Sequence, residues 1–157
     1  MMDISAPMAL GDPLLDRDHA ELLRLSRALL DAPCGGALQA LDRLRTEVRE
    51  HFGREDADLQ RLGGNNATCH LDEHAAVLQS LDEVHAILCD PATSAEMAER
   101  LIASLSLELV RWLPEHVREM DAGLAAVRSK SRFGGVPMRL TRPHPADTAA
   151  PAGPSAP

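Results

Sequence analysis

Apolar residues recur at steps of three and four along most of the chain, and interruptions of that rhythm divide it into four segments. Asp12-Pro13 places an N-cap before a proline at the first helical position, and Pro33 with Gly35-Gly36 closes the first segment. Between them Leu15, His19, Leu22, Leu23, Ser26 and Leu30 share one helical face. The second segment carries Leu38, Leu41, Leu44, Val48, His51, Glu55, Leu59 and Leu62, and Gly63-Gly64-Asn65-Asn66 then forces a turn. A third face reads His70, His74, Val77, Leu81, Val84 and Leu88, stopping before Pro91 because a residue ahead of proline avoids the helical region. The fourth opens on Thr93-x-x-Glu96, a capping-box pattern. It continues through Leu101, Leu105, Leu109, Trp112, His116 and Met120 to Leu124 and Val127. Pro114 inside it removes a backbone donor and predicts a kink between Trp112 and His116.

Short connections favour antiparallel neighbours, so residues 12–130 are expected to form an all-α, up-down-up-down four-helix bundle. Residues 131–157, rich in Pro and Ala and lacking an apolar period, are expected to be a disordered tail. The 157 residues suffice for one domain with a core, and Leu and Ala dominate the apolar content, which favours helices. A formal charge of −8 argues against a nucleic-acid partner. No run approaches the ~20 apolar residues of a membrane span. Met1–Leu10 has neither a basic start nor a long apolar run, so no secretory signal is expected. Three cysteines, Cys34, Cys69 and Cys89, are odd in number and widely spaced, which suits a reducing compartment, the cytoplasm by default. The topology puts Cys34 and Cys89 at one end and Cys69 at the other; no disulfide is expected.

Five of the seven histidines, His19, His51, His70, His74 and His116, fall on the inward faces of all four segments. A lone histidine on an apolar stripe is usually a satisfied core residue; five on four helices call for another explanation. Glu55 lies one turn beyond His51, and Asp121 five residues beyond His116. A buried carboxylate without a partner is costly, and a cation is the natural compensation. In an up-down bundle all seven residues occupy one layer near the Gly63-Gly64 end, given a rise of ~1.5 Å per residue. Seven ligands exceed a structural zinc site and suit two metals bridged by both carboxylates. The nitrogen-rich, sulfur-free set fits iron among several first-row metals.

The pieces Asp16-x-x-His19, His51-Phe52-x-x-Glu55-Asp56, His70-x-x-x-His74 and Trp112-Leu113-x-x-His116-Val117-x-x-x-Asp121, in this order, resemble the hemerythrin family, in particular its single-domain bacterial members. The resemblance implies a non-haem di-iron centre with an oxo or hydroxo bridge. His70, His74 and His116 would hold one iron, His19 and His51 the other, and Glu55 and Asp121 would bridge them. It further implies dioxygen as the partner, bound reversibly at an open position on the second iron for carriage, storage or sensing. Leu59 stands where many members have Met, Val117 where Ile is usual, and Cys69 lies near the place of a common Tyr. Phe52, Leu113 and Val117 are the expected dry walls.

Two rival sites fit less well. His70-Leu71-Asp72-Glu73-His74 matches the H-x-x-E-H spacing of an inverted zincin, which also needs a distant acidic ligand and a larger mixed fold. A ferritin-like carboxylate centre needs paired Glu-x-x-His motifs, and no histidine here has Glu three residues before it. Within the di-iron reading, the alternatives to oxygen binding are a redox enzyme acting on peroxide or nitric oxide, an iron-donating repair protein, and a non-enzymatic module whose tail recruits a protein. Asp16 is expected either to orient a ligand histidine or to complement a helix dipole. Trp112 is read equally as core packing or as part of the site.

Overall fold

A computed structural model describes residues 8–133 apart from 34 and 65. Its helices are α1 (Pro13–Ala28), α2 (Ala37–Leu62), α3 (Ala67–Cys89), α4 (Ala95–His116) and α5 (Ala122–Phe133). A π-turn, Val117–Asp121, joins α4 to α5 without a break, so the fourth segment of the bundle runs from Ala95 to Phe133. No strand occurs among the described residues. Contacts run from α1 to α2, α2 to α3, α3 to α4 and α4 back to α1, which closes the antiparallel four-helix bundle. None of the described helices is long and apolar enough to cross a membrane.

The ends of the helices follow local chemistry. Asp12 caps α1 by accepting from the Leu14 and Leu15 amides, with Pro13 at the first position. The cap of α4 is Ser94, which accepts from the Met97 amide, rather than Thr93. The Thr93 hydroxyl instead donates to the Ile87 carbonyl at 2.6 Å, satisfying the end of α3. Leu30, expected on the inner face, is 51 % exposed, because α1 ends at Ala28 and the chain turns away. Helical geometry continues through Pro114, where a kink is expected, and changes to a π-turn three residues later, at Val117. The last helix reaches Phe133, past the residue 131 at which the tail was expected to begin. Residues 134–157 and Cys34 lie outside the described residues.

The interior is divided along the bundle axis. One half is a leucine-rich core that includes Leu22, Leu25, Leu29, Leu41, Leu44, Leu81, Ile102 and Leu105. Its two buried hydroxyls are satisfied: Ser26 donates to the Leu22 carbonyl and Ser106 to that of Ser26. The other half, toward the Gly63-Gly64 turn, is polar inside. There α5 is tied down by Arg128, which reaches Asp12 at 3.4 Å and Asp58 at 3.3 Å.

Candidate metal centre

The structure brings all seven candidate residues together: His19, His51, Glu55, His70, His74, His116 and Asp121 are each no more than 3 % exposed. α1 supplies His19 one to two turns from its start, α2 supplies His51 and Glu55, and the first turns of α3 supply His70 and His74. Both of these pairs are spaced by four residues, which puts their members on one helical face. His116 and Asp121 are spaced by five. In an α-helix that spacing turns the second side chain about 140° away from the first. The π-turn contains the solution: the Ala122 amide bonds back to the Val117 carbonyl, one residue further than in an α-helix. The wider turn returns Asp121 to the His116 side, with Oδ1 3.1 Å from His116 Nε2.

All five histidines direct Nε2 at the two carboxylates, and each carboxylate divides its oxygens. Glu55 Oε1 faces His51 at 3.4 Å and His19 at 4.0 Å. Its Oε2 faces His74 at 3.2 Å and His70 at 3.8 Å. Asp121 turns Oδ2 to His19 at 2.9 Å, and Oδ1 to His70 at 2.8 Å as well as to His116. Two overlapping donor groups result. Glu55, His70, His74, His116 and Asp121 form one; His19, His51, Glu55 and Asp121 form the other. Both carboxylates belong to both.

Outside this cluster stand carboxylates that sequence reasoning did not assign. Asp56 lies 2.6 Å from His74 Nδ1, and Glu73 2.6 Å from His116 Nδ1. Asp18 lies 3.4 Å from His51 Nδ1 and also accepts from Arg54. Asp56 and Glu73 each adjoin a candidate ligand in sequence, and that adjacency was the available signal. Asp16 orients no ligand histidine; it sits in the first turn of α1, where its charge complements the helix dipole, and accepts from the Leu10 and Gly11 amides. Glu73, the prospective base of the zincin pattern, is occupied behind His116 rather than aimed into a cleft. Aromatic faces hold the same two rings: Phe52 stacks on His74 at 3.8 Å between centroids, and Trp112 on His116 at 4.3 Å. Trp112 is therefore part of the site's wall.

Without a cation this interior is poorly satisfied. His19 Nδ1 and Nε2, both oxygens of Glu55, His70 Nε2 and both oxygens of Asp121 are buried without a hydrogen-bond partner. Native interiors rarely leave such atoms unpaired. The electrostatics shows the same tension. Burial, reinforced by Asp121, pushes the Glu55 carboxyl up to about 8. Burial opposes ionisation of Asp121 too, but the imidazoles of His116, His19 and His70 close beside it carry it below the usual carboxylate range. Burial, with His19 alongside, lowers His51 to about 4. Burial also pulls His116 down, yet Asp121 and Glu73 raise it above the ordinary imidazole value. Nitrogen and oxygen donors converging in two groups fit a pair of first-row transition-metal cations such as iron.

A helical bundle with a buried His/Glu/Asp cluster defines a cation-binding domain, and comparison with known proteins places it. Residues 10–127 match the family model described as the hemerythrin HHE cation binding domain. The chain is 31 % identical over 117 residues to the bacteriohemerythrin of Ralstonia nicotianae (strain ATCC BAA-1114 / GMI1000), covering 74 % of this chain and 81 % of that protein. No solved structure matches it. The chain belongs to the hemerythrin family, and it carries that family's metal-binding domain.

Proposed function

We propose that this protein holds two iron ions and binds dioxygen reversibly. His70, His74 and His116 would ligate one ion and His19 and His51 the other, with Glu55 and Asp121 shared. The observation that carries this reading is the division of each carboxylate: one oxygen faces one histidine group and the other oxygen the second. That is what a bridging carboxylate needs. Ferrous iron held by these residues would supply the electrons that dioxygen binding requires.

The chain's own residues supply the rest. Asp56 and Glu73 accept from Nδ1 and so fix Nε2 of His74 and His116 toward the cluster. Phe52, Leu113 and Val117, all buried, keep water from the site. The set has five imidazoles and only two carboxylates, so it carries less negative charge than a carboxylate-rich centre. That favours binding over strongly oxidative chemistry. Cys69 and Cys89 are free and exposed, which fits a reducing compartment, and we assign the protein to the cytoplasm.

The test is spectroscopic. Reduced, iron-loaded protein exposed to air should give an oxygenated spectrum that reverses under argon. Immediate conversion to a stable oxidised form would instead indicate a redox enzyme acting on peroxide or nitric oxide, or an iron donor.

A further inference from the structure

The hydrogen bonds behind the histidines are unequal on the two sides of the cluster. On one side His74 and His116 each have a carboxylate at 2.6 Å from Nδ1. On the other side His19 Nδ1 is buried with no partner at all. His51 has only Asp18, at 3.4 Å. The Asp18 oxygen concerned, Oδ2, is also the one that accepts from Arg54 Nη2, at 2.5 Å. Two donors thus compete for one oxygen, and the guanidinium, permanently charged, has the closer hold.

An imidazole that donates its remote N–H to a carboxylate is a more basic ligand, and losing such a partner typically costs about 10–100-fold in metal affinity. The group with His70, His74 and His116 also offers five donors against four. Both differences act in the same direction. Resting on the two-metal reading above, we infer that the two positions differ in strength: the His70/His74/His116 position retains its metal, the His19/His51 position exchanges it, and Arg54 sets part of the difference by drawing Asp18 away from His51. The partner implied is a labile divalent cation. Arg54 is about half exposed and faces no metal donor, so it acts only through Asp18.

Cobalt(II) makes this measurable, because it is redox-stable in nitrogen and oxygen sites and its visible bands report each position as it fills. Metal-free protein titrated with Co²⁺ against a chromophoric chelator should show two dissociation constants at least about tenfold apart. Arg54→Gln should tighten the weaker site by roughly threefold to tenfold and leave the stronger one unchanged. Arg54→Lys, which keeps the charge, should behave as the parent, and Asp18→Asn should weaken the weaker site further. Two equal constants, an Arg54→Gln variant identical to the parent, or one that shifts both sites alike would overturn the inference. Saturation at a single cobalt per chain would overturn the two-metal reading beneath it.

Discussion

His116 Nε2 and Asp121 Oδ1 lie 3.1 Å apart although five residues separate them, and the π-turn at Val117–Asp121 makes the approach geometrically feasible. Removing one exposed residue from that turn tests the account. Deleting Arg118 leaves a spacing of four, which a plain α-helix brings to the same face within about 40°. That variant should keep its metal content. Inserting one alanine after Arg118 gives a spacing of six and turns the carboxylate about 120° away from His116, so metal per chain should fall by half or more. Elemental analysis of the two purified variants compares them directly.

On the proposed function, His74 couples the metal to the fold. It touches Glu55, Asp56, His116 and the face of Phe52, so His74→Ala removes a proposed ligand and opens a void under the aromatic ring. Metal content and helical stability should drop together, the latter by about 2–3 kcal/mol. Full loading with an unchanged melting temperature would remove α3 from the metal centre.

The metal-free chain should respond to pH in a distinctive way. Glu55, raised from 4.5 to about 8, is favoured protonated in the folded chain. Its contribution is complete below 4.5 and is lost as pH rises through 8. His51, lowered from 6.5 to about 4, is favoured neutral, and its contribution is lost as pH falls from 6.5 toward 4. Between 4.5 and 6.5 the slopes of Glu55 and His51 oppose each other, and His74, also lowered by burial, tips the balance toward a rise with pH; above 6.5 the loss from Glu55 remains, and His116, whose value is raised, adds to it. Denaturant midpoints of the metal-free protein should therefore rise toward pH 6.5 and fall on the alkaline side. Loaded protein should lack this alkaline decline, because a ligating Glu55 has already released its proton.

Leu113 is 4 % exposed and lies one turn before Val117 on the wall of the site. Leu113→Asn brings an amide, and water with it, into that wall. If the centre binds dioxygen as proposed, loss of the oxygenated form should quicken several-fold while iron per chain stays near the parent value. Following the decay of the air-exposed spectrum beside an iron assay separates the two effects. An unchanged decay rate would count against water exclusion as the protective device.

Periodicity carried most of the fold, since the inward faces of the four segments were written in spacings of three and four, and the same faces carried His19, His51, Glu55, His70 and His74. The identity of the fourth cap was less legible: Thr93 and Ser94 are both good caps, and the Thr93 hydroxyl is engaged by the Ile87 carbonyl of another helix. The π-turn was not legible, because nothing in Val117–Asp121 disfavours an α-helix; the turn is imposed by what His116 and Asp121 both approach. Asp18, Asp56 and Glu73 are adjacent to inward positions rather than on them, so the periodicity gave them no role. Their roles depend on Nδ1 atoms of other helices, a relation between elements that spacing within one element does not encode.

The segregation of a leucine half from a polar half gives the chain two unequal units of protection. Amides around Leu41, Leu44 and Leu81 sit on fully buried hydrocarbon and should exchange with deuterium only through global opening. Those of the π-turn and the first turns of α3 are held by packing that depends on seven unpaired polar atoms beneath them. Stripping the metal should therefore accelerate exchange at that end by orders of magnitude while the hydrocarbon end stays slow, so that occupancy of the centre is read out as the order of one end of the molecule.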